Sequence, residues 1–454
     1  MELVIIVLAA GQGTRMRSDL PQVLHPVAGW PMLRHVLVAA RGLEPSRLIA
    51  VVGHRADLVR KELGEDVRAV LQEKQLGTAH AVLRAEAEAA GQAPTVMVLF
   101  GDMPLIRPST LHALLEQHRA SGAALAWLST LPADSGVRGS AVRGPATGCV
   151  VEVDGESELP SAQSRPGEAP GGAFCFSDAW LWAALRRLEG DDSLDHDLTD
   201  LADLAVREGC SAIGLPAGEL EAMAVNDRVA LSWAEAEMRR RINERWMLAG
   251  VTVVDPGATY IEAGVQIGDD TTLWPGTCLQ GSTRIGCRCV VGPGTVVRDS
   301  VVGDDCRLEL SVLEGAAMDS RSNIGPFSHL RKGAHLGAGA HVGNFGELKN
   351  SFLGPGAKMG HFSYLGDATI GENANIGAGT ITCNYDGQRK NPTIVGRDAF
   401  IGSDTMLVAP VKVGDGARTG AGSVVTHDIP AHAVAYGVPA RVRHGVDDMT
   451  TEEK

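Results

Sequence analysis

From Gly250 onward an aliphatic residue followed by glycine recurs at multiples close to six: Ile267-Gly268, Ile285-Gly286, Val291-Gly292, Val302-Gly303, Ile324-Gly325, Leu336-Gly337, Val342-Gly343, Ile370-Gly371, Ile376-Gly377, Val395-Gly396, Ile401-Gly402 and Val413-Gly414. A fixed period marks a solenoid, whose units stack only on their neighbours. Six residues suit one short flat strand and its corner, so three hexapeptides close a triangular coil. The inward aliphatic side chains of one coil then stack on those of the next. The phase slips near residues 302, 353 and 380 to 394. Such breaks are where a solenoid extrudes loops that can carry chemistry.

Before this region the period is different. Apolar runs Leu3 to Leu8, Leu48 to Gly53, Val67 to Leu71 and Val96 to Phe100 alternate with longer helix-like stretches up to residue 225. That alternation predicts a parallel sheet covered by helices on both faces, with ligands at the carboxyl ends of the strands. Val229, Trp233, Ala236, Met238, Ile242 and Trp246 then recur mostly at three- and four-residue steps until Gly250, which predicts an amphipathic linker helix. The expected organisation is an α/β domain over 1–225, a linker helix over 226–250 and a solenoid over 251–454. A chain of 454 residues suits two cores, and 55 glycines beside 4% aromatics suit tight turns better than a helical bundle.

The formal charge of -14 argues against nucleic acid or an anionic membrane as partner, so any phosphate site must be built locally. The eight cysteines include no CxxC pair, and they are expected to be reduced, buried small residues. The apolar start, Leu3 to Ala10, has no basic stretch before it and is far shorter than the ~20 residues that span a bilayer. It is expected to be a buried strand in a cytoplasmic protein.

Directly after that strand comes Leu8-Ala9-Ala10-Gly11-Gln12-Gly13-Thr14-Arg15-Met16. Small residues let the main chain approach a phosphate and donate N–H groups to it, with Arg15 alongside. A dinucleotide fingerprint needs a third glycine where Met16 stands, and a P-loop needs Gly-Lys-Ser/Thr, so neither fits. Together with Pro21-Gln22-Val23-Leu24 the string resembles the signature of sugar-phosphate nucleotidyltransferases. The resemblance implies that Leu8, Ala9, Ala10, Gly11, Arg15 and Gln22 line the nucleotide. Gln22 occupies the place of that family's usual lysine, and a neutral amide can donate a hydrogen bond without offsetting phosphate charge.

Other segments extend the resemblance. Gln72-Glu73-Lys74-Gln75-Leu76-Gly77-Thr78 is similar to the family's base-reading segment, where Gln72 and the backbone at Gly77 and Thr78 address uracil. Phe100-Gly101-Asp102 ends an apolar strand, which points Asp102 into the ligand cleft, and the resemblance implies that Asp102 and Asn226 are Mg2+ ligands, which suits a hard cation that takes few protein oxygens besides the substrate's phosphates. Glu152 matches the acceptor for a sugar hydroxyl. The sugar side departs elsewhere, with Asp154 and Pro170 at positions of a lysine and an asparagine and Val137-Arg138-Gly139 in place of Tyr-Gly-Arg.

In the solenoid, Gly325 to Arg331, Val342 to Lys349, Gly360 to Asp367 and Asn375 to Gly387 resemble the acetyltransferase half of the bifunctional family that acetylates glucosamine-1-phosphate and uridylylates the product. Attack of a sugar amine on a thioester requires a base near neutrality, and His361 matches the family's base. The resemblance places the sugar phosphate on Arg331, Lys349 and Lys390, with Tyr364 and Asn375 on the sugar. It places acetyl-CoA along Ala378, Asn384, Tyr385, Ser403 and Ala421. The family's arginine before the terminal Val-Pro is Gly437 here, and Arg441 or Arg443 is expected to replace it on the nucleotide phosphates.

The resemblance therefore implies a Rossmann-like nucleotidyltransferase domain joined to a left-handed parallel β-helix acetyltransferase domain. Its implied ligands are Mg2+, UTP, acetyl-CoA and sugar phosphates, and its implied assembly is a homotrimer. The departures at Gln22, Asp154 and Pro170 leave a second reading open, an acetyltransferase whose N-terminal domain binds UDP-sugars with little or no turnover.

Overall fold

The computed structural model describes residues 2–130, 141–143, 150–153, 169–189, 196–218 and 220–445. The chain divides into two compact units, Met1–Met238 and Arg239–Lys454.

The first unit is built on a seven-stranded sheet in the order Ala212–Pro216, Leu125–Thr130, Ala169–Ser177, Thr95–Phe100, Leu3–Ala9, Arg47–Val52, Val67–Leu71. The Leu3–Ala9 run can be apolar throughout because both its faces are buried. Val4, Ile6 and Leu8 enter one core with Trp127 and Phe174. Leu3, Ile5, Val7 and Ala9 enter the other with Leu33 and Leu37. The chain builds outward from this strand to Val67–Leu71, then returns to its other side with Thr95–Phe100. The order thus reverses at Leu3–Ala9, and the glycine loop leaves from its carboxyl end, where an open α/β sheet forms its crevice.

The sheet departs from the all-parallel expectation in one strand. Ala169–Ser177 runs antiparallel to both of its neighbours. It pairs with Leu125–Thr130, the sheet strand before it in the chain, and an antiparallel neighbour needs no crossover helix.

The helix Arg228–Leu248 also differs from its expected pattern. Ala234 and Ile242 are buried and Met238 is half-buried, forming a stripe at four-residue steps, whereas Val229, Trp233 and Ala236 are exposed. Met238, Ile242 and Trp246 of the expected apolar set do turn inward at least in part, so the buried face is narrower than expected and is completed by Ala234. Asn243 is fully buried because its amide nitrogen donates to the Pro256 and Thr259 carbonyls at 2.9 and 3.1 Å.

The second unit is a three-sided stack of short parallel strands in sheets of twelve, ten and nine, with a single antiparallel closing strand, Arg441–Gly445. These hexapeptide coils are the architecture of the left-handed β-helix. Each inward residue meets its equivalent in the next coil, as in Leu313, Leu330, Leu348 and Leu365, all fully buried. The glycine after the aliphatic residue is required by the closeness of the coils. A Cβ on Gly343 would lie 1.9 Å from the Gly360 oxygen, a distance that no side chain survives. Buried hydroxyls complete the corners, as where Thr380 Oγ1 donates to the Gly377 carbonyl at 2.7 Å. The break at 380 to 394 becomes a loop between strands Ile381–Cys383 and Thr393–Val395.

Seven cysteines lie among the described residues, all free. Only Cys175, Cys289 and Cys306 are buried, while Cys210, Cys278, Cys287 and Cys383 are partly exposed, because several sit at outward or corner positions of the coils.

Leu348→Ala deletes the middle of the leucine stack, and rigid parallel coils have little freedom to collapse around the gap. A loss of about 2–5 kcal/mol in the second unit's stability is expected in denaturant titrations. A change below about 1 kcal/mol would show that the stack tolerates a void.

Candidate functional sites

In the first unit, the segments singled out from sequence converge at the carboxyl end of Leu3–Ala9. The Gly101 N–H donates to the Leu8 carbonyl at 2.8 Å, and the Val225 N–H to the Asp102 carbonyl at 3.0 Å. Gln75 Nε2 donates to the Ala10 carbonyl at 2.6 Å, tying the base-reading segment to the glycine loop. Leu8, Ala9 and Ala10 are buried backbone supports, while Gly11 and Arg15 are exposed. Phe100 is half-buried and packs its ring on Phe174, 6.2 Å between centroids.

Asp102 is the electrostatic centre. Burial drives its carboxyl up to about 6, opposed by a hydrogen bond from its own backbone and by the charge of Arg15. Its Oδ1 is buried without a hydrogen-bond partner, and its Oδ2 accepts from Gln22 Nε2 at 2.9 Å. The same nitrogen donates to the Val225 carbonyl at 2.9 Å and to Asn226 Oδ1 at 3.3 Å. Asp102 and Asn226 are therefore brought together as oxygen donors. An orphaned carboxylate oxygen beside an amide oxygen fits a hard divalent cation that draws its other ligands from phosphates and water. Among the described residues no group of three or more His, Cys, Asp or Glu side chains could hold a metal by itself.

Gln22 was legible as a substituted position but not as a bridge between these two oxygens. Its packing explains Gly13, which has φ 67° and whose Cβ, were there one, would stand 2.4 Å from that of Gln22. Gln72 is buried, its amide nitrogen on the Gly77 carbonyl at 3.2 Å and near His80 Nδ1 at 2.9 Å. Thr78 Oγ1 donates to Asp197 at 3.0 Å and accepts from the Leu198 N–H at 2.8 Å. Both side chains thus fix the segment from within. Glu152 belongs to the two-stranded ribbon of Ala141–Arg143 and Val150–Val153, paired with Val142. Pro170 pairs in the sheet with Ser129. Val137, Arg138, Gly139 and Asp154 lie outside the described residues.

In the second unit, strand register makes a column at one corner. Met359, Ile376 and Ile401 are partners in successive coils. Two residues after each come His361, Ala378 and Ser403, and Ala421 follows Thr419 in the same way. The Asp404 N–H donates to the Ala378 carbonyl at 2.6 Å and the Gly422 N–H to Ser403 at 2.8 Å, which seats these corners on one another. An exposed histidine thus heads a run of small side chains, a track open to a slender chain. His341, in the coil before, has its ring held below the usual histidine range by burial, then by the charges of Lys358 and His361.

On the adjoining face, Glu347 and Tyr364 pair in register, as do Lys349 and Gly366. A Cβ on Gly366 would lie 2.4 Å from the Tyr364 hydroxyl and 2.7 Å from Asn384 Nδ2, so this glycine leaves room for both side chains. Arg331 Nη1 binds Glu347 Oε1 at 2.8 Å. Lys349 sits so near Lys390, and next Arg331, that its ammonium is held below the ordinary lysine range by their repulsion. Arg331 and Lys349, both half-buried, and the exposed Lys390 are gathered against their mutual repulsion, an arrangement suited to a polyanion such as phosphate. Lys390 is carried there by the loop that breaks the coils. Asp367 anchors that loop, accepting from Asn350 and Asn384 at 2.6 Å each, and Tyr385 bridges to Lys390.

Asn375 is half-buried on the strand before the corner, paired with Lys358. Arg441 begins the closing strand and borders a cavity of about 310 Å³ with His427 and Asp428. Sequence reading missed Glu347 and Asp367. Glu347 had a signal, since it stands two residues before Lys349 on a strand and so shares its face. Asp367 had none, because its partners are in other coils.

Residues 5–203 match the model of the MobA-like NTP transferase domain family, and residues 392–427 match the bacterial transferase hexapeptide of six repeats. Among curated relatives, the bifunctional protein GlmU of Exiguobacterium sp. (strain ATCC BAA-1283 / AT1b) is 44% identical over 96% of this chain and 97% of its own length. The bifunctional protein GlmU of Syntrophomonas wolfei subsp. wolfei is 42% identical over the same shares. That of Trichlorobacter lovleyi is 43% identical over 95% of this chain and 94% of its own. Both domains are present over their length, and nothing favours an acetyltransferase standing alone. With a nucleotidyltransferase domain on a Rossmann-like sheet and a hexapeptide acyltransferase domain in a β-helix, the chain belongs to the GlmU family of bifunctional proteins.

Proposed function

We propose that the β-helix acetylates the amine of glucosamine-1-phosphate with acetyl-CoA, and that the first domain transfers uridylyl from UTP to the resulting N-acetylglucosamine-1-phosphate with release of pyrophosphate. The observation that carries this reading is the exposed His361 at the head of a column of small side chains, adjoining a face where Arg331, Lys349 and Lys390 gather. We assign nucleotidyl transfer to 1–225, the connection to 226–250 and acetyl transfer to 251–454.

For acetyl transfer, the cation clamp holds the sugar phosphate, and Tyr364 and Asn375 orient the ring. The amine attacks the thioester carbonyl, the C–N bond forms, and His361 Nδ1 or Nε2 receives the amine proton before the C–S bond breaks and the thiolate of CoA leaves. The pantetheine arm lies along Ala378, Ser403 and Ala421, with Asn384 and Tyr385 beside it and Arg441 toward the nucleotide end. A backbone N–H or Ser403 polarises the carbonyl. Phe327 and Phe345 stack at 5.4 Å on the same corner while 55% and 61% exposed, and Phe362 follows at 58%. An exposed aromatic stripe beside the site supports a homotrimer in which a neighbouring solenoid completes it.

For uridylyl transfer, the glycine loop receives the nucleotide phosphates, the segment from Gln72 to Thr78 meets the base, Glu152 meets the sugar, and the sugar phosphate attacks the α-phosphorus. Asp102 and Asn226 would hold Mg2+, which would supply charge neutralisation on the phosphates when bound. No helix among the described residues is long and apolar enough to cross a membrane; the location we assign to the protein is the cytoplasm.

His361→Ala is expected to lower kcat for acetyl transfer by roughly 10²–10⁴-fold while pyrophosphate release is unchanged. Acetylation within a few-fold of the parent would remove His361 from the role of base. Asp102→Ala should do the reverse, lowering pyrophosphate release by roughly 100-fold or more; an unaltered Mg2+ requirement would place the cation elsewhere. Lys390→Met should move the Lys349 ammonium pKa upward, because its largest source of repulsion is gone. Side-chain NMR titration reads this directly, and an unmoved Lys349 would dissolve the clamp.

A further inference from the structure

The Gln22 amide stands where the oxygens of the expected cation site converge. Its Nε2 lies 2.9 Å from Asp102 Oδ2, 2.9 Å from the Val225 carbonyl and 3.3 Å from Asn226 Oδ1. A carboxylate and a backbone carbonyl can only accept, so the amide must present its nitrogen to them. Gln22 is itself buried, and Gly13 lies against its side chain, with a would-be Cβ at 2.7 Å from Oε1. The free buried Oδ1 of Asp102 shows that this carboxylate is only half satisfied by the glutamine.

From this convergence we infer that Gln22 is a competitor for the cation: its amide holds Asp102 and Asn226 in place, and it must withdraw from them for a divalent ion to bind. The inference rests on the reading of Asp102 and Asn226 as cation ligands. The amide nitrogen lies between Asp102 Oδ2 and Asn226 Oδ1, so a cation coordinated by these two oxygens would occupy the place that its N–H groups now fill. The Gln22 side chain lies against the glycine loop, its Cβ and Oε1 filling the space that a Gly13 side chain would need. On that side the released N–H groups meet the region expected to receive nucleotide phosphates. Displacement and nucleotide binding are thereby coupled, so the divalent ion alone binds weakly and binds tightly with the nucleotide. Gln22 is a positioning residue for the cation site.

The test measures binding of Mn2+ alone to the full-length chain, counted by electron paramagnetic resonance of the free ion, without nucleotide. Gln22→Met keeps the volume and removes the donor, and is expected to tighten Mn2+ binding roughly tenfold, the worth of one charge-assisted hydrogen bond. Gln22→Lys puts an ammonium among the same oxygens and is expected to weaken it. The lysine variant retains a donor and reports on the proposal even if the methionine variant fails to fold. Asp102→Ala should abolish binding; if it does not, the cation is held elsewhere and the reading of the site fails. If Asp102→Ala abolishes binding yet Gln22→Met binds Mn2+ no tighter than the parent, or Gln22→Lys binds it as well as the parent, competition is overturned while the cation site stands.

Discussion

The β-helix depends on one repeated contact, an inward aliphatic side chain resting on its equivalent a coil away. Only glycine beside it lets the backbones come close enough for that contact, as the clash that Gly343 avoids with Gly360 shows. The stack is rigid because any shift of one coil moves every partner along the column. Rigidity is what a site assembled from several coils needs. His361, Ala378, Ser403 and Ala421 are separated by most of a coil or more in sequence, yet each is fixed by the same corner geometry. The proposed chemistry lies at the corner and in the extruded loop, whose outward side chains are not part of the aliphatic stack.

Charge is managed locally. A chain with a formal charge of -14 collects Arg331, Lys349 and Lys390 on one face, where the cations depress the Lys349 ammonium. Holding them together costs repulsion that a bound phosphate would relieve, so the arrangement favours the ligand's charge. Glu347 moderates it by pairing with Arg331. In the first domain the sign is inverted. Asp102 is half-buried with one oxygen out of reach of solvent, its carboxyl is lifted to about 6 by desolvation, and a cation would offset that cost. Each site is thus electrostatically incomplete in the way its expected ligand corrects.

Gln22 shows how a substitution read as a loss acquires another meaning in three dimensions. Compared with lysine, the amide lacks charge for phosphate. Within the fold its nearest partners are instead the oxygens of Asp102, Val225 and Asn226. An ammonium there would pair with the carboxylate, so the neutral amide is the milder occupant.

The sequence by itself determined the solenoid, the α/β half and most of the site segments. Hexapeptide spacing, uniform apolar runs and glycine loops are local consequences of coil length, two-sided burial and backbone approach, and each is written in consecutive residues. What only the tertiary structure decided were the relations between distant segments. The antiparallel placement of Ala169–Ser177, the narrow buried stripe of Arg228–Leu248 and the inward turn of Gln72 all follow from which neighbour is present. So do the anchoring of the Lys390 loop by Asp367 and the bridge from Gln22 to Asp102 and Asn226, across 80 and 204 residues. Periodicity reports the surface that a residue shares with its own element. It carries no record of a partner that folding brings from elsewhere in the chain.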